Sequence, residues 1–133
     1  MEINHGVEAY RASRQILAEG GLIHHGAVIG HLHQVLKTFA AKPEYSKFYI
    51  GITSDLNKRL SSHQANKPSF KLMCPIYEEA GNLVGNAFDR LEREAITNFR
   101  GGIKHPETGE LSLQCCNGPG GALPKNWLYI LVG

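Results

Sequence analysis

The sequence lacks an apolar run of membrane-spanning length. Its longest, Leu128-Tyr129-Ile130-Leu131-Val132, is far short of the ~20 residues a bilayer requires, so no transmembrane helix is expected and a membrane is not an expected partner. The first thirty residues interleave Glu2, Glu8, Arg11, Arg14 and Glu19 with apolar positions and contain neither an uninterrupted apolar core nor a small-residue cleavage site. A secretory signal is therefore not expected, and a reducing cytoplasm is the default compartment. Cysteine is scarce and odd in number: Cys74, Cys115 and Cys116. Three thiols make no disulfide framework, and the adjacent pair would bridge only through a strained ring. Net charge is small too, with 14 Lys and Arg against 12 Asp and Glu. A total of +2 is no argument for nucleic acid. What remains, 133 residues of which 42% are hydrophobic and 20% charged, has the size and balance of one globular domain.

Divided along the chain, the charge becomes informative. Residues 1 to 41 carry three acids and three bases. From Lys42 to Met73 there are six bases (Lys42, Lys47, Lys58, Arg59, Lys67, Lys71) against Glu44 and Asp55, a local +4. From Cys74 to Glu94 five acids face Arg90 and Arg93, a local −3. A basic stretch followed by an acidic one suits a phosphate-binding surface beside a metal-binding carboxylate. On charge alone the plainer reading, the solvated faces of two ordinary helices, is the favoured one.

Periodicity predicts the elements. Val7 to Ala18 reads as a short amphipathic helix stopped by Gly20-Gly21, while residues 22 to 33 mix apolar positions with four histidines and two glycines and are ambiguous. Val35 to Phe39 and Lys47 to Thr53 are rich in β-branched and aromatic residues and flank Lys42-Pro43-Glu44, which predicts an antiparallel hairpin. Asp55 is an N-cap signal for a helix to about Ala65, ended by Pro68. Phe70 to Glu78 is a strand, Ala87 to Phe99 a helix with Phe88, Leu91, Ala95 and Phe99 on one stripe, and Trp127 to Val132 a final strand. Gly101 to Leu113 is a projecting hairpin or loop. Gly118-Pro119-Gly120-Gly121 lacks the Lys-Ser/Thr of a phosphate-binding P-loop and reads as a turn.

The segment from Phe48 to His63 carries the chemistry. A strand delivers Tyr49, Gly51 permits close backbone approach, and a helix follows with Arg59 and His63 at i and i+4 on one face. Arg59 offers a planar fork for phosphate oxygens. His63 can orient or move a proton near neutral pH. Tyr49 acts as a base only if neighbours lower a phenol whose reference pKa is near ~10.

Tyr49-Ile50-Gly51, with Arg59 eight residues after the glycine and His63 four later, resembles the second half of the GIY-YIG nuclease signature. The resemblance covers roughly residues 35 to 131. It implies a small α+β domain, a central mostly antiparallel sheet flanked by helices, over residues 35–133; residues 1–34 lie outside it and read from their own periodicity as an N-terminal helical extension. It also implies a helix bearing one metal-binding glutamate. Glu92 and Glu94 compete for that role. At about 100° per residue Glu92 falls on the inward stripe and Glu94 nearly opposite, which selects Glu92. A single carboxylate suits Mg²⁺ or Mn²⁺. The family's later asparagine is matched by Asn117, with a loop-capping role as the plainer alternative.

The first tripeptide is where the sequence departs. Lys37-Thr38-Phe39 stands in its place, so the ring is kept at Phe39 and the hydroxyl lost; Thr38, Tyr45 or His33 are the candidates to replace it. The implied activity is metal-dependent hydrolysis of DNA phosphodiesters. Tyr49, Arg59, His63, Glu92 and Asn117 form its site, and Lys58, Lys67 and Lys71 contact backbone phosphates. A homodimer is compatible with this, a second protomer being one source of target choice. The alternative is a nucleic-acid-binding module of the same fold that cleaves weakly or not at all, for which Phe39 is the motive. A transition-metal cluster built on His24, His25, His31 and His33, or on the cysteines with His105, has no regular ligand spacing and is the least favoured.

Overall fold

The computed structural model describes residues 2–3, 10–11, 25–78, 87–117 and 127–133. In chain order these form β1 (Glu2–Ile3), β2 (Tyr10–Arg11), α1 (His25–Ala40), β3 (Lys47–Thr53), α2 (Leu56–Asn66), β4 (Leu72–Glu78), α3 (Ala87–Phe99), β5 (Ile103–Lys104), β6 (Leu111–Cys115) and β7 (Trp127–Val132). The fold class is α+β. Among the described residues, no helix is long and apolar enough to cross a membrane.

The strands are ordered β1-β4-β7-β3-β6-β5, and β2 also pairs with β4. The long pairings, β3 with β7 and β4 with β7, are antiparallel. The short ones, β1 and β2 with β4 and β6 with β3, are parallel. β7 therefore lies between β3 and β4, and its continuous apolar sequence fits a strand with a sheet neighbour on each side. Pro75 pairs with Tyr129 of β7 just before a register shift in that pairing, the kind of irregular position at which a strand tolerates proline.

Side-chain alternation gives the sheet two different faces. Phe48, Ile50, Ile52, Cys74, Ile76, Leu128, Ile130 and Val132 point one way, into a core closed by α1 and α3. Met73, Tyr129 and Leu131 point the other way, with Phe70, and are covered by Leu56 and Leu60 of α2 and by Tyr49. The first face is the main core. The second, smaller layer is where Tyr49 and α2 meet.

Val35 to Phe39, expected as a strand, is the second half of α1. Val28, Leu32, Val35, Leu36, Phe39 and Ala40 are all buried, an apolar stripe three helical turns long. That stripe outweighs the strand preference of Val35 and Phe39, because local propensity is worth less than continuous core contact. Gly30 lies on the exposed side, where a missing Cβ leaves no hole. The hairpin expected between residues 35 and 53 is therefore a helix, a loop and a strand. The 34/35 division falls inside α1, and Val28 and Leu32 before it share one core cluster with Leu36 and Phe39 after it.

Other expectations match more closely. Asp55 caps α2, its carboxylate accepting from the Lys58 N–H at 3.1 Å, and the helix closes at Lys67 before Pro68. α3 runs over Ala87–Phe99, and Leu72–Glu78 and Trp127–Val132 are strands. The projecting segment after residue 101 is a β5–β6 hairpin whose second strand joins the edge of β3. Of the helix expected from Val7 to Ala18, only Tyr10–Arg11 lie within the described residues, and they pair with β4 as a strand. The turn at 118 to 121 lies outside them.

Candidate active site

β3 and α2 are joined by a tight turn, so α2 runs back across the face from which Tyr49 projects. Arg59, His63 and Lys67, one turn apart, thereby pass along β3 from its Thr53 end toward Tyr49. Tyr49 and His63 meet edge to face with ring centroids 5.6 Å apart. Lys67 places its ammonium 4.9 Å from the Tyr49 ring centroid. The strand and helix that the Tyr-Ile-Gly, Arg and His spacing predicts do bring those side chains together.

A residue that sequence reasoning missed completes the group. Tyr129, on β7, is wholly buried, and its hydroxyl lies 2.7 Å from His63 Nε2. Arg59 acts on the same hydroxyl, favouring its ionised form. Burial holds the Tyr129 proton on and pushes its pKa up, with Arg59 opposing. His63 is driven the other way, to about 4, first by burial and then by Arg59 and Lys67, so it is a neutral imidazole at pH 7. The buried phenol keeps its proton and the imidazole beside it is neutral, so a single hydrogen is shared between the Tyr129 hydroxyl and His63 Nε2.

The glycine of Tyr49-Ile50-Gly51 is required by this arrangement. Gly51 is the cross-strand partner of Tyr129, and a Cβ at Gly51 would collide with the Tyr129 hydroxyl and ring. The strand therefore carries no side chain at the one place where the buried phenol crosses it.

Tyr49 is half-buried, and its pKa is raised by burial first, then by the negative charge of Glu92, against the opposing pull of Arg59. Glu92 influences Tyr129 in the same sense. It is only 7% exposed, whereas Glu94 is exposed, so helix geometry separates the two glutamates as the sequence predicted. Among the described residues no three His, Cys, Asp or Glu side chains gather as a metal site. The carboxylate whose charge reaches the Tyr49 phenol is that of Glu92. It fits a hard divalent cation that takes its remaining ligands from water and substrate oxygens, and does not fit a closed zinc site.

Asn117 is placed behind Tyr49. Its Oδ1 accepts from the Ile50 N–H at 2.8 Å and its Nδ2 donates to the Ile50 carbonyl at 2.6 Å. β6 pairs with β3 only at Lys47 and Phe48, so the Asn117 amide continues that edge for one more residue. It holds the backbone between Tyr49 and Gly51.

The three proposed lysines are spread out. Lys67 stands at Tyr49, while Lys58 lines a polar cavity of about 240 Å³ with Thr53, Ser54, Asp55, Arg59 and Ser62 at the other end of α2. Lys71 lies beyond the site, its ammonium donating to the Glu44 carbonyl. The candidates to replace the hydroxyl absent from Phe39 are all engaged elsewhere. Thr38 donates to the Gln34 carbonyl, His33 stacks on Phe99, and Tyr45 packs against Phe39 at the rim of the main core.

Of the histidine cluster, His33 is exposed and His31 half-buried, while His24 lies outside the described residues. His105 accepts from the Glu107 and Thr108 N–H groups within the β5–β6 turn, and all three cysteines are free thiols. No known protein family matches the chain, and neither a curated protein nor a solved structure does.

Proposed function

We propose that the protein is a divalent-metal-dependent nuclease that hydrolyses DNA phosphodiester bonds, a member by resemblance of the GIY-YIG group. The observation that carries this is the convergence of Tyr49, Arg59 and His63 with a second phenol, Tyr129, which is joined to His63 by a hydrogen bond and lies within the influence of Arg59. The motive for an inactive module was the lost hydroxyl at Phe39. Tyr129 supplies a hydroxyl at the site from another strand, which supports catalysis over binding alone.

Each residue has a task matched to its state. Tyr49 retains its proton near neutral pH, so it works on the attacking water through its hydroxyl as a hydrogen-bond partner. Arg59 offers donors to the phosphoryl oxygens as charge develops there. His63, neutral and buried, keeps Tyr129 in place without adding a second positive charge. Glu92 would hold Mg²⁺ or Mn²⁺, which when bound polarises the phosphate and offsets the carboxylate charge that holds the Tyr49 proton. Asn117 fixes the strand that presents Tyr49.

The test is cleavage of supercoiled plasmid by wild type, Glu92→Ala and Arg59→Ala, with Mg²⁺ or Mn²⁺ and with chelator. Nicking by wild type that needs the cation and is lost in both variants is expected. Binding without nicking under either cation would assign the protein to the non-cleaving alternative, and nicking undiminished in Glu92→Ala would refute the metal ligand.

A further inference from the structure

Four lysines of the basic stretch are each laid on an aromatic ring. Lys67 lies over Tyr49 at 4.9 Å, Lys47 over Phe70 at 4.7 Å, Lys71 over Tyr45 at 5.5 Å and Lys42 over Phe39 at 5.3 Å. The stations are contiguous. Lys47 is two residues before Tyr49 on the same strand face and donates to Ser69, next to Phe70; Lys71 follows Phe70; and Tyr45 beneath Lys71 touches the Phe39 ring at 4.9 Å. The row begins at the site and leads away from it, at the end of β3 opposite Lys58 and Arg59.

Two features distinguish this row from scattered surface lysines. Each ammonium is held over a ring, so it is partly ordered before any ligand arrives. None of the four is paired with a carboxylate among the described residues; the polar partners of Lys47 and Lys71 are a hydroxyl and a backbone carbonyl. Glu44 is the nearby acid, and it gives Lys71 its main-chain oxygen. An ordered line of unneutralised cations complements a polyanion with regularly spaced charges.

We propose that Lys67, Lys47, Lys71 and Lys42 form a track for the phosphate backbone of one nucleic-acid strand as it leaves Tyr49. The track takes its starting point from the nuclease reading above; it adds Lys47 and Lys42 to the interface and makes the footprint one-sided. Phosphate contacts of this kind position the strand without reading its sequence. Phe39 and Phe70 are buried beneath their lysines and cannot stack on bases, so the track grips the backbone.

The experiment is the salt dependence of binding to a labelled oligonucleotide, single-stranded and duplex, in chelator so that nothing is cut. Wild type is compared with Lys47→Gln/Lys71→Gln, with Lys47→Arg/Lys71→Arg, and with Lys104→Gln on the β5 side of the molecule as control. Each lost phosphate contact lowers the log–log salt slope by ~0.9 on duplex or ~0.7 on a single strand. The double Gln variant should therefore lose between one and two units of slope and bind several-fold more weakly, while the Arg pair and Lys104→Gln keep the wild-type slope. A double Gln variant with the wild-type slope, or wild type that binds neither oligonucleotide at low salt, overturns the track. If the slope falls as expected but wild type never nicks plasmid with a divalent cation, the track stands and the nuclease reading falls.

Discussion

The Tyr129 hydroxyl and His63 Nε2 are 2.7 Å apart, although 66 residues separate them in the chain. The bond links β7 to α2, and the Arg59 charge acts on the same hydroxyl. Removing the hydroxyl alone is the most direct probe of the site. Tyr129→Phe keeps the buried ring but leaves His63 Nε2 without its hydrogen-bond partner. An unfolding free energy lower by about 1–3 kcal/mol is expected from the unpaired group. Plasmid nicking should fall at least tenfold at a temperature where the variant is fully folded. Undiminished nicking would show that Tyr129 is only a packing residue.

Gly51 and Gly30 make a matched pair. Gly51→Ala places a methyl against the Tyr129 ring, which the core holds from all sides, and should destabilise the protein by about 1–3 kcal/mol. Gly30→Ala puts the same methyl into open space on the exposed face of α1 and should stabilise it by roughly 0.5–1 kcal/mol. Urea midpoints of the two variants should move in opposite directions. A neutral Gly51→Ala would mean that the Tyr129 ring does not occupy the space above it.

His63 should make stability depend on acid. Its pKa is about 4 in the folded protein and near 6.5 unfolded, so between those values the unfolded chain binds the extra proton and acid favours unfolding. The stabilisation from keeping His63 neutral is complete above pH ~6.5 and is lost as the pH falls toward 4, a change on the order of 2–3 kcal/mol. Urea unfolding from pH 7 to 4.5, repeated with His63→Gln, isolates this contribution. The variant should show a shallower decline; equal slopes would mean that His63 titrates normally.

Asn117 is expected to act through the backbone. Asn117→Ala removes both bonds to Ile50 and should cost about 2 kcal/mol. If its effect is confined to placing Tyr49, nicking should fall mainly in kcat with little change in DNA affinity. A large loss of affinity with kcat unchanged would instead point to direct contact with substrate.

The sequence was most legible where the signals were local. The Tyr-Ile-Gly strand, the Asp55 cap and the Arg59 and His63 spacing are read from adjacent residues, and each recurs in the structure. Glu92 was separable from Glu94 because helix phase depends only on residue count. The failures concern pairings that no local pattern encodes. Val35 and Phe39 prefer strands in isolation, and only the stripe reaching back to Val28 makes them helical. Tyr129 sits inside an apolar run that reads as core, which it is. That its hydroxyl meets His63 follows from β7 inserting between β3 and β4, and nothing in residues 127 to 132 names those neighbours. One signal did exist: a glycine in the middle of a strand marks close approach by something, and Gly51 was noted as such without a partner.

The position of β7 also sets an order in time. Among the described residues β3 and β4 share no strand neighbour other than residues 127 to 132, and Thr53 precedes Trp127 by 74 positions in the chain. At the pace of translation, roughly 5–20 residues per second, that interval lasts about 4 to 15 s. Throughout it Tyr49, Arg59 and His63 already exist as chain, but the strand that joins the halves of the sheet, and the phenol that bonds His63, do not. A ribosome-bound chain that has not yet reached Tyr129 carries the motif without the site, so the candidate site is assembled only after the sheet has been closed.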